Sequence, residues 1–100
     1  MTTENQIRKA ARECSLTFTA LGDPNRQDIL IMLAHKGPMN VLQITENLNL
    51  ARPTISHHLK ILMNAGLVKG IKKSRETYYQ SEWKVASKNL KQLMKVLSDC

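Results

Sequence analysis

The stretch Ala51-Arg52-Pro53-Thr54-Ile55-Ser56-His57-His58-Leu59-Lys60-Ile61-Leu62-Met63-Asn64-Ala65-Gly66 decides the fold. It predicts a helix from about Arg52 to Ala65, stopped at Gly66. At about 100° per residue, Ile55, Leu59 and Leu62 fall within roughly 60° of one another and define a buried face. The opposite face carries Pro53, His57, Lys60 and Asn64, flanked by Thr54, Ser56 and Ile61, with His58 at the margin of the core. Hydroxyls, an imidazole, an amide and a cation near a helix N-terminus are groups that hydrogen-bond base edges and phosphates. The major groove of duplex DNA is wide enough to admit such a helix.

Upstream, Asn40 with Gln43 three positions later reads as a capping box opening a short helix that fades at Asn49. Asn49-Leu50-Ala51 is then the tight turn between two helices, the arrangement a helix-turn-helix needs. Before it, Asp23 supplies a capping oxygen and Pro24 suits the first helical position, starting a helix that runs to about His35. Its run Ile29-Leu30-Ile31-Met32-Leu33 is apolar almost all round, as expected for a central core helix, and Lys36-Gly37-Pro38 breaks it. Earlier still, Ile7, Ala11, Cys14, Phe18 and Leu21 predict one helix over 4–21, with Gly22 ending it in a left-handed backbone.

Downstream, Leu67–Lys73 and Thr77–Gln80 are short β-prone runs around Ser74-Arg75-Glu76, a hairpin with a basic tip. A last helix spans about Glu82 to Ser98, with the stripe Trp83, Ala86, Leu90, Leu93 and Leu97. The expected fold class is therefore all-α with a small β-hairpin: a winged helix-turn-helix of five helices with the hairpin before the last. No linker or repeat divides residues 1–100, so one domain is expected.

Composition agrees with a polyanionic partner. Fifteen Lys and Arg against eight Asp and Glu give +7 over 100 residues. The first twenty residues carry mixed charge and no apolar stretch of signal-peptide type, and Ile29–Ala34 is far shorter than a membrane span. A cytoplasmic protein with reduced thiols is expected.

The stretch from Phe18 to Tyr79 resembles the ArsR/SmtB family of winged-helix repressors. Ala20-Leu21-Gly22-Asp23-Pro24-Asn25-Arg26 is similar to that family's opening of its second helix. Pro53-Thr54-Ile55-Ser56-His57-His58-Leu59-Lys60-Ile61-Leu62 is similar to its recognition helix, and Ala65-Gly66-Leu67-Val68 with Tyr78-Tyr79 to its wing. The resemblance implies a homodimer built from the first and last helices, bound to a double-stranded operator of dyad symmetry. The heptad-like stripes of those two helices agree with this. The candidate DNA contacts are Arg52, Thr54, Ser56, His57 and Lys60 on the helix and Lys72, Lys73 and Arg75 on the hairpin. Ser74 departs from the family, whose members often carry Gly at the wing tip.

Many relatives release DNA on binding a metal, but no metal site is expected here. The 41–45 helix carries no cysteine, no histidine follows His58, and adjacent His57 and His58 diverge by about 100° on a helix. No cofactor is expected. His35 reads as structural, near a helix C-terminus. Cys14 and Cys100 both fall on or in register with the terminal stripes and are the candidate redox pair; the plainer readings are a small buried hydrophobe and a frayed terminal thiol. The other possibility is a repressor that senses nothing and is regulated by its own abundance, as an autorepressor, or by a protein partner. Ser56-His57-His58 lacks a carboxylate within a turn, and no Gly-rich phosphate loop is present, so an enzyme is not expected. The alternative function is a winged helix that contacts protein or RNA.

Overall fold

The computed structural model describes residues 2–100. Its order is α1 (Glu4–Glu13), α2 (Ser15–Leu21), α3 (Pro24–Lys36), α4 (Val41–Leu48), α5 (Arg52–Asn64), β1 (Val68–Lys73), β2 (Glu76–Ser81) and α6 (Lys84–Ser98). The fold is the expected winged helix-turn-helix, with six helices instead of five. The segment read as one helix over 4–21 breaks at Cys14, whose N–H turns back to Ala11 and which carries no side-chain cap for α2. The break shifts the helical phase. Ala10, Cys14, Thr17 and Ala20 are buried, whereas Phe18, counted on the stripe, is half exposed.

Several helix boundaries have a local cause. Thr3 caps α1 in a capping box with Gln6, a signal overlooked in the sequence, and Asn40 does the same for α4 with Gln43. The Asp23 carboxylate accepts from the backbone N–H groups of Asn25 (2.8 Å) and Arg26 (3.2 Å). Gly22 is not left-handed: its φ is −79°. A Cβ there would stand 3.2 Å from the Phe18 carbonyl oxygen, so close approach is what a side chain would disturb. Gly66 does take φ 73°. Its N–H bonds Met63 O and the Leu67 N–H bonds Leu62 O, each at 3.0 Å, a Schellman closure of α5.

The core gathers Ala20, Ile29, Leu30, Leu33, Ile44, Ile55, Leu59, Leu62, Leu67, Val68 and Ala86 from α2, α3, α4, α5, the hairpin and α6. Ile31, by contrast, points outward from α3. β1 and β2 pair antiparallel from Val68↔Ser81 to Lys73↔Glu76. On the other edge of β2, Tyr79 exchanges both backbone hydrogen bonds with Met39 (2.8 and 3.1 Å). This bridge fastens the wing to the start of α4.

Candidate nucleic-acid interface

The two helices of the motif are joined through Asn49, which adopts the left-handed conformation (φ 49°, ψ 42°) that closes α4. Ile44 from α4 and Ile55, Leu59 and Leu62 from α5 are buried together, which fixes the rotation of α5. Arg52, Thr54, Ser56, His57 and Lys60 are consequently all exposed. Ala51 gives α5 no side-chain cap, so the first-turn N–H groups stay free to meet an anion.

His58 is buried, more deeply than its expected place at the core margin. Its Nδ1 lies 3.3 Å from Arg26 Nη1, and the guanidinium continues to Ala20 O (2.8 Å) and Thr19 O (3.0 Å). Gln27 Nε2 donates to Leu21 O at 2.7 Å. One arginine on α3 thus satisfies the last carbonyls of α2 and holds the inner side of the exposed helix. Asp23 belongs to the same corner. The Arg26 backbone N–H, reinforced by that of Asn25 and by the nearby Arg26 and His58 charges, holds its carboxyl below the usual carboxylate range against a smaller opposing desolvation.

The hairpin turns in two residues, Ser74 and Arg75, between paired Lys73 and Glu76. Ser74 takes φ 59° and Arg75 does not share the positive φ. Lys72, Lys73 and Arg75 are exposed. Arg75 and Arg52 line one cavity of about 230 Å³ with Asn40, Val41, Leu42, Glu76, Thr77 and Tyr79. Glu76 accepts from Asn40 Nδ2 (2.9 Å) and the Tyr78 hydroxyl (3.2 Å). The wing tip is therefore tied to the α4 N-terminus and brought beside the start of α5. Among the described residues, none of Arg52, Lys60, Lys72, Lys73 and Arg75 is in an ion pair. The surface is one of free cations and neutral donors suited to phosphates and base edges.

The remaining candidates lie elsewhere. Cys14 is wholly buried, and burial, with the Glu13 charge second, pushes its thiol above the ordinary value. Cys100 is exposed. α1 and α6 run antiparallel, with Thr2 Oγ1 against Asp99 Oδ2 (3.3 Å) at one end and Asn89 Nδ2 donating to Glu13 O (3.3 Å) at the other. The two thiols of a chain therefore sit at opposite ends of that pair. His57 and His58 have ring centroids 6.0 Å apart and face different surroundings, one exposed and one buried. Among the described residues no three His, Cys, Asp or Glu side chains converge as metal ligands, and no helix is long and apolar enough to cross a membrane.

Comparison with known proteins agrees with this geometry. The sequence profile of the family described as bacterial regulatory protein, arsR family, matches residues 23–69. An uncharacterized HTH-type transcriptional regulator of Methanocaldococcus jannaschii is 39% identical over 82 residues, 82% of this chain and 88% of that protein. The transcriptional repressor SdpR of Bacillus subtilis is 40% identical over 62 residues, 62% of this chain and 68% of its own. An ArsR-like transcriptional regulator from Rhodococcus sp. RHA1 superposes with a TM-score of 0.80 at 27% identity, covering 89% of this chain and 83% of that one.

Proposed function

The chain belongs to the arsR family of transcriptional regulators, a family of DNA-binding proteins and not of enzymes, and on that premise we propose that it is a cytoplasmic homodimeric repressor that reads an operator of dyad symmetry. In this reading α5 enters the major groove, with Thr54, Ser56 and His57 toward base edges and Arg52 and Lys60 toward phosphates. Lys72, Lys73 and Arg75 of the wing follow the adjacent backbone. The observation that carries it is the convergence of Arg52 and Arg75 on one cavity beside the exposed face of α5. Wing and helix then address one stretch of duplex together.

The dimer is supported by apolar side chains that α2 and α6 leave uncovered: Leu16, Phe18, Met94 and Leu97 are all at least half exposed. The test is a sequence-resolved pull-down of genomic DNA, followed by affinity for the recovered fragment across a salt series. A binder with about six to ten phosphate contacts loses roughly 10³–10⁵ in affinity between 50 and 200 mM salt. Weak binding to every duplex with no salt dependence sinks the reading and favours a winged helix that contacts protein or RNA.

For the switch, the geometry favours an autorepressor acting through its own abundance over a thiol sensor. A reactive cysteine is an accessible thiolate, and Cys14 is sealed and held protonated. Operator affinity is expected to be unchanged by mild oxidant in wild type and in Cys14→Ser. A loss of affinity on oxidation that Cys14→Ser abolishes would restore the thiol reading.

A further inference from the structure

α6 carries a feature that operator reading does not use. Lys84, Lys88, Lys91 and Lys95 are all exposed, and at about 100° per residue they fall within roughly 60° of one another. They form a ridge about 16 Å long, at 1.5 Å per residue. The buried positions Ala86 and Val96 lie on the other side of the helix. No Asp or Glu occurs in Lys84–Ser98, and among the described residues none of the four lysines is in an ion pair. Four of the fifteen basic side chains of a +7 protein are thus aligned; no acidic side chain lines the depression along the ridge, and carboxylates come near it at the Lys95 end, where Glu13 and Asp99 share a second depression with that lysine.

Like charges three and four residues apart destabilise a helix by a few tenths of a kcal/mol per pair. The alignment therefore opposes folding, and a polyanion is what relieves it. The lysines, with Trp83, Ser87 and Gln92, line a shallow surface depression of about 610 Å³ that no other element enters. The ridge is consequently separate from the α5 and wing surface. The four cations stand 4.5–6 Å apart along the axis by helix geometry, and duplex DNA offers a phosphate about every 3.4 Å along each strand. Lysine is a hydrated point charge suited to phosphate without base readout.

Resting on the function proposed above, we infer that the α6 lysine ridge grips the sugar–phosphate backbone of a second DNA segment, without sequence preference, while α5 and the wing hold the operator. Each dimer then carries two such ridges and bridges duplexes.

The experiment immobilises a short operator duplex, saturates it with protein and measures capture of a labelled duplex of unrelated sequence. Four phosphates per ridge predict a salt slope of about −3.6, hence roughly 10²-fold weaker capture at 200 than at 50 mM salt. The variant K84Q/K88Q/K91Q/K95Q, relieved of the like-charge pairs, is expected to unfold at a midpoint no lower than that of wild type, to keep its affinity for the short operator, and to lose capture. The fourfold Lys→Arg variant keeps capture. Equal capture by the Gln variant, no capture by wild type at 50 mM salt, or capture of polyglutamate in preference to duplex each overturns the inference.

A second arm uses free protein with H57A/K60A/K72A/K73A/R75A. It is expected to retain salt-dependent duplex binding through the ridge although operator recognition is gone. If it retains none, the ridge inference fails and the operator reading stands. If instead it binds the operator like wild type while the Gln variant binds no DNA, the operator reading is what fails.

Discussion

Ser56 and His57 project from the exposed side of a helix whose inner side is fixed by Ile55, Leu59 and the His58–Arg26 contact. A base contact discriminates by about 1–3 kcal/mol, so Ser56→Ala and His57→Ala are each expected to lower operator affinity roughly 5- to 150-fold, with little change on random duplex. Arg75→Ala should weaken both and reduce the salt slope by about one. Competition binding at several salt concentrations checks this, and a change of sequence preference on Arg75→Ala alone would reverse the assignment of roles. Asp23 gives a pH effect with a definite sign. Its folded carboxyl titrates below the ordinary value, chiefly because the Arg26 N–H bonds the charged form. The stabilisation is therefore complete above the ordinary carboxylate pKa and is lost as pH falls through the lowered folded value. Asp23→Asn keeps a capping oxygen but does not titrate there. Its unfolding midpoint should therefore converge on that of wild type in the acid limb, and parallel profiles down to pH 2 would refute the account. The exposed residues of α5 were legible from a single helical period. The inner anchor was not: Arg26 and His58 are 32 positions apart, and no local pattern announces such a contact.

At the scale of elements, boundaries written in short-range chemistry could be read in advance: Asp23-Pro24, the Asn40 and Gln43 box, and Gly66 all act where their side chains or φ angles require. The break at Cys14 escaped because apolar residues recur at helical spacing straight through it. The Met39–Tyr79 bridge escaped because a single paired residue has no period. At the wing tip the local signal, a serine where relatives often carry Gly, has an energetic consequence. A two-residue hairpin loop with positive φ at its first position favours Gly, and that position is Ser74 at φ 59°. A non-glycine residue in the left-handed region costs about 1–2 kcal/mol, partly offset in Ser74→Gly by the greater entropy of the unfolded chain. We expect Ser74→Gly to raise stability by roughly 0.5–1 kcal/mol in urea unfolding, with the m-value unchanged. A destabilised variant would mean that the serine side chain supports the turn.

For the molecule as a whole, the proposed dimer gives the terminal helices the task of setting how a short chain addresses a two-fold operator. α1 and α6 cover each other in part within one chain, burying Ala10 and Val96, so the stripes read from the sequence are not wholly free for a partner. What they leave outside is a second apolar set, with Met94 at 68% and Leu97 at 52% exposure on α6 and Leu16 at 61% on α2. Water contact over such a set is unfavourable by about 25 cal/mol per Å² of apolar surface, and a second copy would relieve it. The proposed dimer also has a geometric use. Two recognition helices can occupy successive major grooves only if something holds them about 34–36 Å apart, one turn of the duplex. A charge placed in the apolar set should therefore separate the subunits and cripple operator binding without unfolding either one. The double substitution Met94→Glu/Leu97→Glu is expected to sediment as a monomer at concentrations where wild type is dimeric. It should retain its helical circular dichroism and bind the full operator no more tightly than a half-site. If the variant stays dimeric and binds the full operator like wild type, the subunits meet through some other surface, and the spacing of the recognition helices must be set there.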